Sequence, residues 1–350
     1  MSIAEVKNVG SRFTYATSKQ KLLFRAPVGK DFALQVLRSK LRETLLQDVP
    51  IVWNRRLKSV REAGNGIEAV FEGDYSIQGD FLIGCDGSGS SVRECLRAMS
   101  DNASSVPTVV PSGIVGIAGH IPRTTEWNAL LPLNHEGPVR FLGPGAHSLF
   151  VSFSESVDRI PTIMWGLSTY MNQSGLQELL GDGKIAGKQR LLTHCSQLMD
   201  LKSWHPALRK LVKDTAPDAL LEPWILKTTQ FGSDDHYPML PSGRITLLGD
   251  AAHAMPPDLG LGGNNVLEDA RLLASLLIEA SRQQSIDFKA LTLKYETETF
   301  ARAKKAVAES EKAARMHNLS NPMAATIRNL ALRTLNFSLA FAGMLSGKRH

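Results

Sequence analysis

Residues 244–278 read RITLLGDAAHAMPPDLGLGGNNVLEDARLLASLLI, and their reading decides the fold. Arg244 to Leu248 is a short apolar, β-branched run that ends in Gly249-Asp250, so a buried strand stops at a carboxylate. A loop follows from Ala251 to Gly263. Pro256 and Pro257 stiffen it, and Gly260, Gly262 and Gly263 leave its backbone open to close approach. From Asn264 the spacing becomes helical: Val266, Ala270, Leu273 and Leu277 fall on one stripe, expected to be buried. The first N–H groups of that helix lack intrahelical partners, and the helix dipole there favours negative charge. A strand-end carboxylate, an opened backbone and a positive helix end thus converge. The chemistry suits a polyhydroxylated, partly anionic cofactor.

The order and length of this string resemble the second flavin-contacting motif of single-component FAD-dependent monooxygenases of the para-hydroxybenzoate hydroxylase type. That motif is G-D-A-A-H, three residues, P, two residues, G-x-G, one residue, N, four residues, D-A. Gly249, Asp250, Ala251, Ala252, His253, Pro257, Gly260, Gly262, Asn264, Asp269 and Ala270 occupy its positions. The resemblance implies that Asp250 accepts hydrogen bonds from the ribityl hydroxyls of FAD. It also implies that Pro257 and the backbone of Gly260, Leu261, Gly262, Gly263 and Asn264 stand against the ring end of the cofactor, and that His253 orders the loop.

A second string repeats the theme. Phe81 to Cys85 is an apolar strand ending at Asp86-Gly87, within GCDGSGSSVREC. Asp86, Gly87, Ser90, Val92 and Arg93 match the family's other motif, D-G-x-x-S-x-V-R, which lies near the cofactor pyrophosphate and is linked to NAD(P)H use. Upstream, Phe32 to Gln47 reads as a helix with Leu34, Leu37, Leu41 and Leu45 on one face. Arg38, Leu41 and Leu45 fit the family helix R, two residues, L, three residues, L, whose arginine reaches the FAD. The resemblance covers residues from about 32 to 315.

The rest of the chain sorts into segments. Residues 1–31 show no pattern. Leu57 to Phe71 alternates around Asn65-Gly66, a hairpin signal, and Gly73 to Gln78 continues as a third strand. Strand-like runs at Ile114–Ala118, Val139–Leu142, Ser148–Phe153 and Pro161–Leu167 precede helical spacing at Gly175–Leu180 and Lys188–Leu198. This reads as an inserted sheet domain that covers a substrate pocket, with Phe141, Phe153 and Trp165 as core. Of the histidines, His135 and His147 read as structural, and His236 with Tyr237 could face a substrate. Phe288 to His317 is a long charged helix. Leu335 to Leu345 is too short for a membrane span and reads as a packed terminal helix. The expected division is 1–106 and 241–317 for the two parts of the FAD-binding domain, 107–240 for the substrate domain and 318–350 for a helical tail.

Composition sets the outer bounds. The chain has 350 residues, 43% hydrophobic and 21% charged, with a net charge of +6. The basic residues are mixed with acids and form no aromatic-rich stripe, which excludes nucleic acid as the expected partner. Cys85, Cys95 and Cys195 have no metal-ligand spacing and form no disulfide framework; reduced, mostly buried thiols in the cytoplasm are expected. No metal site is expected. The opening MSIAEVKNVGSRF contains no apolar signal core.

The expected fold is α/β, FAD/NAD(P)-binding and three-layer-like, with the sheet insertion and an incomplete N-terminal side. Gly10 and Gly29 are the only glycines before residue 64, so no G-x-G-x-x-G turn supplies a pyrophosphate cradle there. What the resemblance implies is NAD(P)H- and O2-dependent hydroxylation or epoxidation of an electron-rich, aromatic or polyketide-like small molecule. Three readings of the incomplete side stay open: a fragment of a longer product, a short form completed by a partner chain or homo-oligomer, or a fold recruited for a flavin-free enzyme or binding role.

Overall fold

The computed structural model describes residues 7–8, 12–27, 34–73, 75–100, 105–155, 160–181, 184–232 and 243–345. The fold is mixed α/β and divides into two compact units, each assembled from discontinuous chain. The large-sheet unit takes residues 1–49, 113–225 and 315–350; the motif unit takes 50–112 and 226–314.

In chain order the first elements are β1 (Lys7–Asn8), β2 (Arg12–Thr17), β3 (Leu22–Pro27), β4 (Leu34–Gln35) and α1 (Arg38–Leu45). The motif unit then contributes β5 (Leu57–Ala63), β6 (Gly66–Phe71), β7 (Tyr75–Gly79), β8 (Leu82–Gly84) and α2 (Ser91–Met99). Next come β9 (Thr108–Pro122), α3 (Thr125–Leu130), β10 (Val139–Leu142), β11 (Ser148–Glu155), β12 (Pro161–Tyr170), α4 (Gln173–Leu180), α5 (Lys184–Leu201), α6 (Pro206–Lys213) and β13 (Trp224–Gln230). The chain closes with β14 (Ile245–Leu247), α7 (Asp250–His253), α8 (Leu261–Ala280), α9 (Phe288–His317) and α10 (Pro322–Leu345).

Seven strands in the order β13-β9-β12-β11-β10-β2-β3 form the main sheet. Neighbours run antiparallel through β9, β12, β11 and β10, and β10 pairs with β2 in parallel. Alternate residues Leu149 and Val151 on β11, and Ile163, Trp165 and Leu167 on β12, are buried, as one covered face of a pleated sheet requires. Leu191 and Cys195 of α5 and Leu208 and Leu211 of α6 complete that core. Trp165 places its indole N–H on Thr215 Oγ1 at 2.9 Å, so a buried aromatic is also satisfied as a donor. Phe141 is core as expected, whereas half-buried Phe153 lies under the Arg123 guanidinium at 3.9 Å.

The motif unit holds the antiparallel meander β5-β6-β7 and a parallel pair, β8 with β14, in the register Leu82↔Ile245 to Gly84↔Leu247. Gly84 lets α2 approach the pair: a Cβ there would come within 2.8 Å of Val92 and of Leu247. Val92, Leu96, Ile245, Leu247 and Phe300 share one core.

Several expectations change against this structure. Residues 12–27, which show no pattern in the sequence, form the β2–β3 hairpin, because β10 offers an edge on which β2 can pair. Residues 1–49 therefore fold with the large sheet rather than with 50–106. The helix expected over Phe32–Gln47 begins only at Arg38; Leu34 and Gln35 are extended because they pair with Asn8 and Lys7. Its leucine face is not a core face, since Leu37, Leu41 and Leu45 are exposed. The tight turn of the β5–β6 hairpin is Gly64-Asn65, one residue earlier than the sequence signal, with Gly64 at φ +58°.

The helix of the deciding stretch is unbroken but starts at Leu261, three residues early. Its buried residues are Asn265, Asp269, Leu273, Leu276 and Ala280, so Ala270 is not core and the stripe includes two polar residues. Cys85 is exposed and Cys95 half-buried; Cys195 alone fits the buried-thiol expectation. The expected terminal helix forms as the second half of α10, but Leu335 and Leu339 are exposed. Among the described residues no helix is long and apolar enough to cross a membrane, and no cluster of His, Cys, Asp and Glu is built to hold a metal.

Candidate functional site

Parallel pairing of β8 and β14 brings the two carboxylates together by simple counting. Asp86 lies two residues beyond Gly84 and Asp250 three beyond Leu247, so both leave the same end of adjacent strands. Both are exposed. Their local roles differ. Asp86 Oδ2 accepts from the Ser91 N–H at 2.7 Å and the Val92 N–H at 3.2 Å, and so satisfies two orphan donors at the start of α2. Ser90 caps the same helix through Oγ, accepting from the Arg93 N–H at 3.0 Å. Asp250 is the first residue of α7.

Arg93 ties the two strand ends to each other. Its buried guanidinium donates to the Ala251 carbonyl and to the Ser88 carbonyl, each at 2.9 Å. Burial lowers its pKa below the usual arginine value, opposed by the charges of Glu94 and Asp86. The motif D-G-x-x-S-x-V-R is thereby explained as cap, turn, cap, core residue and clamp.

The loop after α7 is held from below. Asp269, fully buried on α8, accepts from the Gly249 N–H at 3.1 Å and pairs with His253 Nε2 at 2.6 Å through Oδ2. Its Oδ1 accepts from Arg302 on α9. His253 is thus an internal support for the loop, in keeping with its expected part. Gly249, at φ +64°, lies so close to α8 that a Cβ would come within 2.7 Å of Val266.

Above this support the start of α8 is left open. Gly260, at φ +66°, is the N-cap residue and brings no side-chain cap, and the first turn contains no acid. Pro257 stands exposed on the approach. A Cβ built on Gly262 or Gly263 would meet nothing within 4 Å. The backbone of Leu261, Gly262, Gly263 and Asn264 therefore offers unshielded donors to open space. Asn265, buried one residue later, gives its Nδ2 to the Leu261 carbonyl, while its Oδ1 has no hydrogen-bond partner among the described residues. The donor set and the missing side chains fit a ligand edge bearing oxygen acceptors.

A cleft of about 830 Å³ borders the same unit. Ile83 of β8, Cys85, Asp86 and Ser91 line one part, and Arg55 and Arg56 another. Asp86 lines this cleft and Asp250 does not. Among the described residues β8 pairs with β14 alone, and its Leu82 and Ile83 face the cleft. The Cys85 thiol is raised in pKa: surrounding atoms desolvate the thiolate although the residue reaches the surface, and the Asp86 carboxylate adds like charge.

Arg38 lies in the large-sheet unit as the exposed first residue of α1. His135 Nε2 donates to the Asn128 carbonyl at 2.9 Å, and the ring packs edge-on to Phe153, which is a structural use. His236 and Tyr237 lie outside the described residues. The sequence reading missed Arg93, Asp269 and Arg302 as organisers. Their spacing along the chain gave no local signal, although Asp269 and Arg93 stood inside the quoted motifs.

Comparison with known proteins is consistent with this geometry. A family model described as "FAD binding domain" matches residues 19–158 and 199–310. The FAD-dependent monooxygenase thnD of Trichoderma harzianum is 29% identical over 253 residues, 69% of this chain and 57% of that protein. The FAD-dependent urate hydroxylase of Klebsiella oxytoca is 25% identical over 262 residues, 75% of this chain and 58% of that protein. The chain thus spans little more than half the length of these curated relatives. The crystal structure of Klebsiella pneumoniae HpxO complexed with FAD and uric acid superposes with a TM-score of 0.73 at 19% identity, over 96% of this chain and 80% of that one. At that identity the superposition speaks for the fold. The family model covers well over half of the sequence, including both strand-end motifs, and the chain belongs to the FAD binding domain family.

Proposed function

We propose that this chain holds FAD by its ring and ribityl half, as part of a monooxygenase that hydroxylates or epoxidises a small, electron-rich, aromatic or polyketide-like molecule. The observation that carries the reading is the uncapped, glycine-opened start of α8 beside the Asp250 strand end. Asp250 would accept the ribityl hydroxyls. The N–H groups of Leu261 to Asn264 would stabilise negative charge on the ring's carbonyl edge, where the dipole of a twenty-residue helix adds to them. Asp86 and Gly87 would stand toward the pyrophosphate, and Pro257 would keep the loop from closing over the ring. Arg38 enters on the resemblance alone. FAD, when bound, supplies the redox and oxygen-transfer chemistry, with NAD(P)H as reductant. The chain's own contribution is to orient, to place positive dipole and to exclude water. Three unpaired thiols accord with a reducing compartment such as the cytoplasm.

The open edge of β8 bears on how active this chain is. Parallel sheets are normally buried on both sides within several strands. We infer that a further strand pairs on β8 in the active protein, from a partner, a second copy or additional chain, and carries the missing pyrophosphate contacts. Hydrogen bonds to charged groups contribute about 1.5–3 kcal/mol each, so lacking two or three weakens FAD at least a hundredfold, at about 1.4 kcal/mol per decade. The test uses the purified 350-residue chain. Added FAD should bind and perturb the flavin spectrum, while NAD(P)H oxidation coupled to product should be slow. Absence of any flavin binding favours the flavin-free reading. Coupled turnover on the order of 1–10 s⁻¹ refutes the need for a further strand.

A further inference from the structure

The last helix is amphipathic in an inverted sense. α10 rests on the protein through polar atoms: Asn336 Oδ1 accepts from the Arg25 N–H of β3 at 2.9 Å, and buried Arg328 donates to the Met316 carbonyl at 2.8 Å. Its solvent side carries apolar residues among polar ones such as Thr326 and Thr334. Met323, Ile327 and Leu330, at i, i+4 and i+7, form one row and are 73%, 62% and 64% exposed. Single exposed apolar residues are ordinary, but an aligned row marks a contact surface.

Charge identifies the kind of surface. Residues 312–350 contain Lys312, Arg315, Arg328, Arg333, Lys348 and Arg349 and not one Asp or Glu. The chain as a whole has 40 basic and 34 acidic residues, so residues 1–311 hold 34 of each sign. The entire +6 excess therefore falls in the stretch that bears the apolar row. Arg333, exposed, lies one turn beyond Leu330. A second copy would bring the same positive charge to the contact and be repelled. An anionic bilayer offers an apolar interior to the row and negative charge to exposed Arg333, the combination that a basic amphipathic helix reads. α10 is not apolar enough to cross a membrane, and a single row on one face reaches only the headgroup–acyl boundary.

We propose that α10 docks the protein on the surface of an anionic phospholipid bilayer through Met323, Ile327 and Leu330, with Arg333 at the headgroups. The experiment is flotation of the full chain with vesicles of phosphatidylcholine alone and of equal parts phosphatidylcholine and phosphatidylserine. Binding is expected to the mixed vesicles, to fall with added salt, and to be weak on phosphatidylcholine alone. The double variant Ile327→Glu/Leu330→Glu should lower binding at least tenfold while leaving the far-UV spectrum and melting unchanged. Arg333→Ala should lower it about fivefold, the worth of about 1 kcal/mol per arginine near such a surface. Leu201→Glu, at an 83% exposed site on α5, should leave binding intact. The proposal is overturned if neither vesicle binds the protein. It is equally overturned if the double variant binds as well as the parent, or if Leu201→Glu abolishes binding too. A dimer that the double variant dissociates, without vesicle binding, would assign the face to a second copy instead.

Discussion

Replacing Asp269 by alanine should destabilise the motif unit more than any other single change near the site. The carboxylate is fully buried and serves three donors: the Gly249 N–H, His253 Nε2 and Arg302. Truncation leaves the Gly249 N–H and the His253 ring without an acceptor, at about 1–3 kcal/mol for each buried unmet donor. Arg302 is about a third exposed, so water takes over much of its lost pairing and that part is discounted. The two terms span about 2–6 kcal/mol, around the 3–5 kcal/mol seen when one member of a buried pair is removed, and the narrower range applies to this carboxylate. For a unit of about 150 residues this lowers the melting temperature by roughly 6–20 °C. Asp269→Asn keeps one acceptor oxygen and should lose less, about 1–3 kcal/mol. Urea unfolding followed by fluorescence measures both, with an unchanged slope identifying a stability effect. Loss of less than 1 kcal/mol in the alanine variant would refute the view that this carboxylate holds the loop under the strand end.

Other outcomes separate binding from folding. Gly262→Ala and Gly263→Ala add a methyl group to open space in a helix, so each should stabilise the fold by about 0.5–1 kcal/mol, yet weaken flavin at least tenfold in a fluorescence titration; unchanged flavin affinity would remove α8 from the site. FAD should bind little tighter than FMN in the same titration, and a large FAD preference would show that an adenosine site exists elsewhere. Buried His147 has its pKa lowered to about 4, by burial first and then by Lys202 and His194. Its neutral form is favoured in the fold, so its contribution is present above the unfolded value of about 6.5 and is lost as pH falls toward 4, up to about 3 kcal/mol. His147→Gln should flatten the stability profile between those two pH values, as chemical unfolding at stepped pH will show.

What the sequence revealed depended on whether the governing contact was local. Arg244–Leu248 and Phe81–Cys85 were readable as strands because an apolar run ended at a carboxylate and a glycine. Their parallel pairing is a feature of the structure that neither run announces by itself. The apolar spacing points to a helix from Asn264; the start at Leu261 is fixed by Gly260 in the left-handed region and by packing on Gly249. Residues 12–27 gave no signal because β2 becomes a strand by pairing with β10, far along the chain. Asp269 and Arg93 stood inside recognised motifs, but nothing local says that one would be buried beneath the loop and the other would clamp two strand ends. The leucines of α1 had helical spacing without a surface to bury them, a fact only three-dimensional neighbours can supply.

The interleaving of the two units has a consequence during synthesis. β8 leaves the ribosome as Leu82–Gly84, but its partner β14 is Ile245–Leu247, roughly 160 residues later. At about 5–20 residues per second, the apolar edge of β8 waits on the order of 8–30 s before it can pair. β2 waits similarly for β10. Neither unit can close from the N-terminus forward, so newly made chain carries unpaired strands and is a natural client for holding chaperones. Expression at reduced temperature, or with such chaperones in excess, should raise the soluble yield of this chain far more than that of a protein whose strands pair with their immediate successors.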